Sequence, residues 1–390
     1  MDQNRNPFNP GAGVRPPELA GRQDALDSAA LTLSRIKNGR YGRSCIFVGL
    51  RGVGKTVLLQ SIRRKAEDLG YFADLLEAQD GQSLANLLTP TLRTALLQMD
   101  AYAKGLYAVK RGLRVFRSFI GKVRIDVGGA ALTIDVDPEP GIADSGDLER
   151  DFSDLLAAVG DAAKAAGRPV ALLIDELQYL GRADLATLFR AVHHINQIEL
   201  PLAIFAAGLP QLAGMAGDAK SYAERMFEFY TLGRLSESDA RNAIRSPVEE
   251  EGARITDSAL AEIVACTHGY PYFLQEWGYN AWTVAKGSEI LDEDAREATA
   301  RSIAKLDRSF FRVRFDRTTT AERDYMRAMA ELGDGPHRTA DVAARAKRPP
   351  RSLSPVRDSL IKKGMIYAPG HGTIAFTVPL FDEFMLREMR

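Results

Sequence analysis

The chain has 390 residues, 45% of them hydrophobic, so it is long enough to bury the cores of two or three domains. Its 51 Lys and Arg residues balance 51 Asp and Glu residues, and its two cysteines exclude a disulfide framework and a CxxC metal site. Free cysteines suit a reducing compartment, so we expect a cytoplasmic protein. The most apolar stretch, residues 200–217, is interrupted by prolines and glycines, which predicts no membrane span.

The first 235 residues predict an α/β domain behind a short tail. Residues 1–17 are rich in Asn, Pro and Gly and have no signal-peptide pattern, so we expect a flexible tail there. From residue 18 to 235, strand and helix patterns alternate, which predicts a parallel sheet with helices on both faces. Five short apolar runs are the candidate strands: Ser44–Val48, Tyr71–Leu76, Val170–Ile174, Leu202–Ala206 and Phe229–Leu232.

A phosphate-binding loop follows the first candidate strand. The pattern G-x-x-x-x-G-K-[ST] is complete at Gly49, Leu50, Arg51, Gly52, Val53, Gly54, Lys55 and Thr56, and Val57 continues into a helix. The order strand, loop, helix directs loop N–H groups and the helix N-terminus at one anion. Lys55 is expected to reach the β- and γ-phosphates, and Thr56 to offer its hydroxyl to Mg²⁺. The loop therefore predicts a bound nucleotide with Mg²⁺.

The segment between the second and third strands, residues 103–150, is unusually long and predicts an insertion into this domain. Its helical part holds seven cations and no acid: Lys104, Lys110, Arg111, Arg114, Arg117, Lys122 and Arg124. Such self-repulsion predicts an anionic partner, for which we favour DNA over an acidic membrane surface or the chain's own acidic loop at 135–151. Residues 123–136 resemble a hairpin.

Two acids, Asp175 and Glu176, end the third candidate strand. In P-loop ATPases the first such acid holds Mg²⁺ through water, and the second polarises the attacking water. We therefore expect Thr56 and Asp175 at the metal, and Glu176 with Lys55 in catalysis. Two solvated acids at a strand end are the alternative interpretation.

Two smaller domains are predicted after residue 235. Residues 236–300 read as a helical lid with Ser236 and Thr256 as helix caps, and its aromatic cluster at 270–282 has the spacing of a core.

Residues 319–390 read as three helices and a hairpin, which is the winged-helix pattern. Thr319 and Glu322 form a capping box for the first helix, Thr339 starts the second, and Ser354-Pro355 starts the third.

These motifs resemble those of AAA+-type ATPases in the neighbourhood of replication initiators (origin-recognition proteins), archaeal ATPases and STAND proteins. Residues 17–22 resemble the GRE box that lines the adenine pocket, residues 221–227 the segment carrying an arginine finger, and residues 268–271 the G-x-P motif of the lid. The resemblance implies ATP or ADP as the nucleotide, with Gly21, Arg22 and Pro271 near the base. It also implies that Arg225 completes a neighbour's site in a nucleotide-dependent homo-oligomer.

Two departures from that group predict slow turnover. The fourth strand ends Ala206-Ala207-Gly208-Leu209, where such proteins place a polar sensor residue. The lid has Pro271 after its glycine and no obvious sensor arginine.

The candidate winged helix is basic over residues 338–363, with eight Lys and Arg against Asp341 and Asp358. That charge pattern is typical of major-groove docking with phosphate contacts. The residues expected at DNA are Arg348, Arg351, Arg357, Lys362 and Lys363. Winged helices also bind proteins, so a protein partner is the alternative.

The sequence thus predicts an AAA+-like ATPase that couples slow ATP hydrolysis to oligomerisation and to binding of double-stranded DNA. The main alternative is a STAND-like ATP/ADP switch whose winged helix binds protein and not DNA. A third interpretation is a nucleotide held permanently as a structural ligand.

Overall fold

The computed structural model describes residues 1–11, 13–123, 134–219, 223–333 and 335–389. The chain divides into two units. The sheet unit comprises residues 22–49 and 55–232, and the helical unit comprises residues 1–21, 50–54 and 233–390. The phosphate loop is divided between them, because Leu50–Gly54 belong to the helical unit and Gly49, Lys55 and Thr56 to the sheet unit.

The sheet unit is built on five parallel strands in the order β2-β3-β4-β1-β5. The strands are β1 (Ser44–Gly49), β2 (Phe72–Glu77), β3 (Val170–Asp175), β4 (Leu202–Gly208) and β5 (Phe227–Leu232). Every residue of β1, β3 and β4 is buried, which is why these segments read as continuous apolar runs. The predicted parallel sheet is confirmed, and its carboxyl ends lie along one edge.

One helix precedes the first strand, and further helices lie between successive parallel strands, as crossover connections require. They are α1 (Gln23–Lys37), α2 (Lys55–Asp68), α3 (Leu84–Tyr102), α4 (Tyr107–Lys122), α5 (Leu148–Ala166), α6 (Arg182–Gln197), α7 (Leu212–Ala219) and α8 (Ala223–Met226). The predicted insertion corresponds to α4 and the chain that leads to α5. Most of the hairpin expected at 123–136 lies outside the described residues.

The basic helix α4 pairs with acids of its own chain. Its apolar face is buried, with Phe116 and Phe119 fully inaccessible, while its arginines lie on the polar side. Arg114 Nε lies 2.7 Å from Glu139 Oε2 in the acidic loop, and Arg111 lies 3.8 Å from Glu139 and 3.6 Å from Asp161. These two arginines therefore lie beside acids of their own chain, Glu139 in the acidic loop and Asp161 in α5, and the preference for DNA stays a prediction.

The part of the helical unit where a lid was expected, residues 236–300, is helical. Its helices are α9 (Glu237–Glu250), α10 (Asp257–Thr267), α11 (Pro271–Val284) and α12 (Asp292–Leu306), with short parallel strands β6 (Arg254–Ile255) and β7 (Glu289–Ile290). The Ser236 and Thr256 side chains cap α9 and α10 as predicted. Trp277 and Phe273 are fully buried, so the aromatic cluster belongs largely to the core.

The first ten residues pack on α11 instead of forming the flexible tail that their composition predicted. Phe8 is 1% exposed and lies over Gly278, where an ideal Cβ would approach Phe8 Cε1 to 2.6 Å. Trp282 Nε1 donates a hydrogen bond of 2.8 Å to the Asp2 carbonyl. Burial of the Phe8 ring against Gly278 thus contributes to ordering a segment whose other residues are largely polar.

The C-terminal part of the helical unit follows a π-helical turn, Asp307–Phe311. Its elements are α13 (Arg312–Asp316), α14 (Thr320–Ala330), β8 (His337–Arg338), α15 (Thr339–Arg345), α16 (Pro350–Lys362), β9 (Ile366–Tyr367), β10 (Thr373–Phe376) and α17 (Phe381–Glu388). The three strands form an antiparallel sheet in the order β8-β10-β9. In the part of the chain that is described, no helix is long and apolar enough to cross a membrane.

Two sequence signals in this C-terminal part have different outcomes. The capping box of Thr319 and Glu322 is present at the start of α14. The third helix starts at Pro350 and not at Ser354-Pro355. Both prolines suit a first helical position, and the helix includes Pro355 within it. Arg351 therefore lies in the first turn of α16, and Arg357 lies further along it.

Candidate functional site

A hydroxyl and a carboxylate meet at the carboxyl edge of the sheet. Thr56 Oγ1, in the first turn of α2, donates a hydrogen bond of 2.5 Å to Asp175 Oδ2 at the end of β3. Asp175 is 5% exposed. Burial raises the pKa of Asp175, although hydrogen bonds from Thr56 and the Glu176 backbone and the nearby Lys55 charge oppose the shift. A buried carboxylate of this kind gains from a cation beside it.

These two side chains fit the Mg²⁺ expected from the sequence. Mg²⁺ prefers oxygen ligands, binds few protein groups and keeps several waters. Thr56 and Asp175 supply a hydroxyl and a carboxylate oxygen already in contact. They are the residues that would hold the ion.

Lys55 is buried at the same edge of the sheet. It is the first residue of α2, is 6% exposed, and its Nζ donates a hydrogen bond of 2.9 Å to the Gly49 carbonyl at the end of β1. A buried ammonium group needs hydrogen-bond partners or an anion nearby. The position is suited to a group that contacts phosphate.

Glu176 follows Asp175 at a sharp turn of the chain. Its backbone φ of +52° is in the left-handed region, which residues other than glycine adopt only with strain. Its backbone N–H donates a hydrogen bond of 2.8 Å to Asp175 Oδ1, and its carboxylate accepts a hydrogen bond from Gln178 Nε2. Gln178 was missed by sequence reasoning, because its second partner, the Leu209 N–H, lies 31 residues further along the chain.

The phosphate loop is held from outside by residues of the helical unit. The Tyr270 hydroxyl donates to the Arg51 carbonyl, and the Tyr272 N–H donates a hydrogen bond of 3.2 Å to the Gly52 carbonyl. In a trans peptide the N–H points opposite to the carbonyl, so the N–H groups of Gly52 and Val53 point away from these contacts. Gly52 has a φ of +84°, as such a turn requires.

Three residues expected near the base lie in different surroundings. Gly21 has a φ of +64° and adjoins Asp239 in the helical unit. Pro271 is the first residue of α11, while Arg22 is 8% exposed in the sheet unit and precedes α1. Their role at the base stays a prediction.

Arg225 is exposed in the short helix α8, directly before β5. None of the described side chains forms an ion pair with it. The next residue, Met226, is buried at 6% exposure and directly precedes β5, whereas Arg225 itself is on the surface. The arginine-finger role stays a prediction.

The expected DNA-contacting residues differ in their surroundings. Arg348 and Arg351 are exposed and form no ion pair with a described side chain, and Lys362 is exposed. Arg357 lies 2.9 Å from its neighbour Asp358. Lys363 Nζ lies 2.7 Å from the buried Glu322 carboxylate, which gives this lysine a structural role.

Two family models match the chain. Residues 18–205 match an AAA ATPase domain, and residues 308–385 match a domain of unknown function (DUF8462). No curated protein matches the chain in sequence.

Solved structures are similar over almost the whole chain. A Walker-type ATPase of Pyrococcus abyssi has 14% identity and a TM-score of 0.55, covering 95% of this chain and 97% of its own. Cdc6p from Pyrobaculum aerophilum has 14% identity and a TM-score of 0.51, covering 100% of this chain and 99% of its own. At this identity the likeness concerns the fold alone. The match over residues 18–205, the parallel sheet and the strand-end acids beside the phosphate loop agree on an AAA ATPase domain in that part of the chain.

Proposed function

We propose that this ATPase turns over slowly and that its nucleotide state controls self-association and binding to double-stranded DNA. The observation that carries the catalytic part is the Thr56–Asp175 contact of 2.5 Å, with Glu176 next to it in the chain. The DNA part rests on the exposed arginines of α16 and the turn before it.

The proposed reaction assigns one role to each side chain. The Lys55 ammonium and the loop N–H groups bind the phosphates and offset their charge. Bound Mg²⁺ would add further neutralisation of the phosphate oxygens. Glu176 accepts the proton of the water that adds to the terminal phosphorus, while the bond to the bridging oxygen breaks and ADP leaves. The end of β4 carries no polar side chain, which supports slow turnover.

Self-association is proposed because Arg225 is exposed and lacks an ion pair with a described side chain. A guanidinium supplied by a neighbouring protomer offsets charge in the transition state and raises turnover by orders of magnitude. Arg225→Ala should therefore leave ATP affinity nearly unchanged and lower turnover. Mixing it with Lys55→Ala protein should restore activity, because each variant supplies the group that the other lacks. A wild-type rate in strictly monomeric protein would contradict this role.

DNA binding is proposed for residues 319–389 as a winged helix. The order helix, strand, helix, helix, strand, strand from α14 to β10 supports that assignment. Arg351 in the first turn of α16 has the position from which a recognition helix reaches base edges, and Arg348 precedes it near the phosphates.

The test of the proposed function is gel filtration with ADP and with a non-hydrolysable ATP analogue, each with and without duplex DNA. We expect a larger species with the ATP analogue, and co-elution of duplex DNA with that species. Glu176→Gln protein should behave in the same way with ATP itself, because it binds ATP and hydrolyses it only at a small residual rate. Wild-type hydrolysis by Glu176→Gln would show that the base is assigned wrongly.

A second candidate function, the STAND-like switch, is favoured by one contact within the helical unit. Arg51 of the phosphate loop packs its guanidinium against the turn between α16 and β9, where an ideal Cβ on Gly364 would lie 2.9 Å from Arg51 Nη2. Nucleotide exchange at the loop could then alter the C-terminal part directly. If neither nucleotide state binds DNA even at low salt, this function takes the place of the first.

A further inference from the structure

The carboxyl end of β4 lacks a polar side chain of its own, yet a polar group stands there. Gln178 lies in the short 3₁₀ turn Leu177–Tyr179 that follows β3, and it is 9% exposed. Its Oε1 accepts a hydrogen bond of 3.0 Å from the Leu209 backbone N–H, directly after β4. The turn after one strand therefore supplies a carboxamide to the end of the next.

Glycine at position 208 makes this approach possible. An ideal Cβ on Gly208 would lie 2.5 Å from Gln178 Oε1, closer than two such atoms can come. Gly208 thus has two effects at the end of β4: it brings no polar side chain of its own, and it leaves room for the side chain of Gln178.

The same contact fixes which end of the carboxamide faces Glu176. A backbone N–H can only donate, so the atom bound to Leu209 is the oxygen, and the other end is the NH₂ group. That NH₂ group donates to Glu176 Oε2. Glu176 therefore has one carboxylate oxygen tied, through Gln178, to the end of β4.

We propose that Gln178 is a positioning residue of the ATPase reaction. Its carboxamide holds the Glu176 carboxylate in one orientation, so that the carboxylate can take the proton of the attacking water. The inference rests on the proposed role of Glu176 as the base. Because a misplaced base loses roughly a hundredfold in rate, the orientation is worth a large part of turnover.

Two substitutions separate positioning from simple anchoring. Gln178→Glu keeps an oxygen for the Leu209 N–H and replaces the donor to Glu176 with a second carboxylate. Gln178→Leu removes both hydrogen bonds at similar volume. If the donor matters, both variants should lose about ten- to a hundredfold in kcat, with the KM for ATP and the affinity for ADP unchanged. If only anchoring matters, Gln178→Glu should keep wild-type kcat, which would overturn the proposal.

Coupling to Glu176 is the readout that a merely structural role would not produce. In Glu176→Gln protein, single-turnover hydrolysis should not fall further when Gln178→Leu is added, because Gln178 acts through Glu176. A further fall equal to that in wild-type protein would overturn the proposal, and so would a kcat that rises or stays the same in Gln178→Leu. Gln197→Leu and Gln197→Glu, at the exposed end of α6, are the matched controls. Thermal unfolding of each variant separates misfolding from loss of turnover.

The two proposals fail in different ways. Wild-type turnover in Glu176→Gln would reject Glu176 as the base and the role of Gln178 with it. Lost turnover in Glu176→Gln with wild-type kcat in both Gln178 variants would reject only the positioning role.

Discussion

Two regions of the chain are both rich in Lys and Arg but differ in their surroundings. Helix α4 has its arginines beside acids: Arg114 and Arg111 lie near Glu139, and Arg111 also near Asp161. In the region from 338 to 363, Arg348 and Arg351 are exposed and have no ion pair with a described side chain. A high count of Lys and Arg therefore indicates two different things, an internal ion-pair network in one region and a candidate binding surface in the other.

The difference arises from where the acids lie in the sequence. Glu139 is 25 positions from Arg114 and comes back to it through the chain between α4 and α5, with its backbone N–H 3.3 Å from the Arg114 carbonyl. Within 338–363, the local acids are few, and Asp358 neutralises only its neighbour Arg357. A charge count over one helix cannot detect a partner that the fold brings from outside the window.

The largest effect is expected for Arg348→Ala with Arg351→Ala in the full chain. Each guanidinium at a base or phosphate is worth about 1–3 kcal/mol, so we expect affinity for duplex DNA to fall roughly a hundredfold. The salt dependence of binding should fall by about one unit, because only Arg348 is placed at a phosphate. Fluorescence anisotropy with a labelled duplex, over a series of salt concentrations, measures both.

The matched control is Arg111→Ala with Arg114→Ala, which removes the same charge from α4. That pair should leave DNA affinity and its salt dependence unchanged. Equal losses in the two double variants would show that the ion pairs of α4 do not prevent it from binding DNA, and the comparison would fail.

Lys363 sharpens the comparison, because it lies in the basic C-terminal region but is paired like the arginines of α4. Burial acts to raise the pKa of Glu322, but hydrogen bonds from Lys363, Ser359 and the Thr319 backbone outweigh it and hold the pKa at about 2. Lys363→Met should therefore destabilise the C-terminal region by about 1–3 kcal/mol, since it removes a partner of a buried carboxylate. Hydrogen exchange of α14 and α16 measures this locally, with Lys347→Met as the exposed control.

The pH dependence of the same pair follows from the direction of the shift. A carboxyl whose pKa is lower in the folded state stabilises the fold above its unfolded pKa, and the stabilisation is lost as the pH falls through the folded value. Wild-type protein should lose this contribution between about pH 4.5 and about pH 2. Glu322→Gln should lack that part of the pH dependence, and an unchanged profile would contradict the assignment.

The sequence predicted the elements that have strong local patterns. All five strands and the Thr319–Glu322 capping box follow from apolar runs and a cap motif. Thr56 and Asp175 were expected at one metal ion, which stays a prediction, and the structure brings the two side chains into contact. The start of α16 was misplaced by five residues, because Pro350 and Pro355 both suit the first helical position and the helix begins at the earlier one.

Contacts between distant parts of the chain could not be predicted in this way. Phe8 is a single aromatic residue in a polar segment, and only the groove at Gly278 explains its burial. Gln178 gives no local signal, because its partner Leu209 offers a backbone N–H, which every residue except proline has. The ion pairs of α4 belong to the same class, since they depend on how the insertion folds back.

The smallest expected effect concerns the stability of the insertion itself. Arg114 and Glu139 are each partly exposed, at 34% and 21% of their side chains, so solvent screens their attraction and the pair is worth about 0.2–1 kcal/mol. Arg114→Ala should therefore lower the thermal midpoint only slightly, but it should raise hydrogen exchange in the acidic segment around Glu139. The Ser118 hydroxyl also donates a hydrogen bond of 2.8 Å to the Glu139 carbonyl, so the segment keeps one contact in this variant. Lys110→Ala removes an exposed cation from the same helix and should change neither measurement. If the two variants behave alike, the acidic segment is held by the Ser118 and backbone hydrogen bonds, and charge pairing does not explain why α4 tolerates its cations.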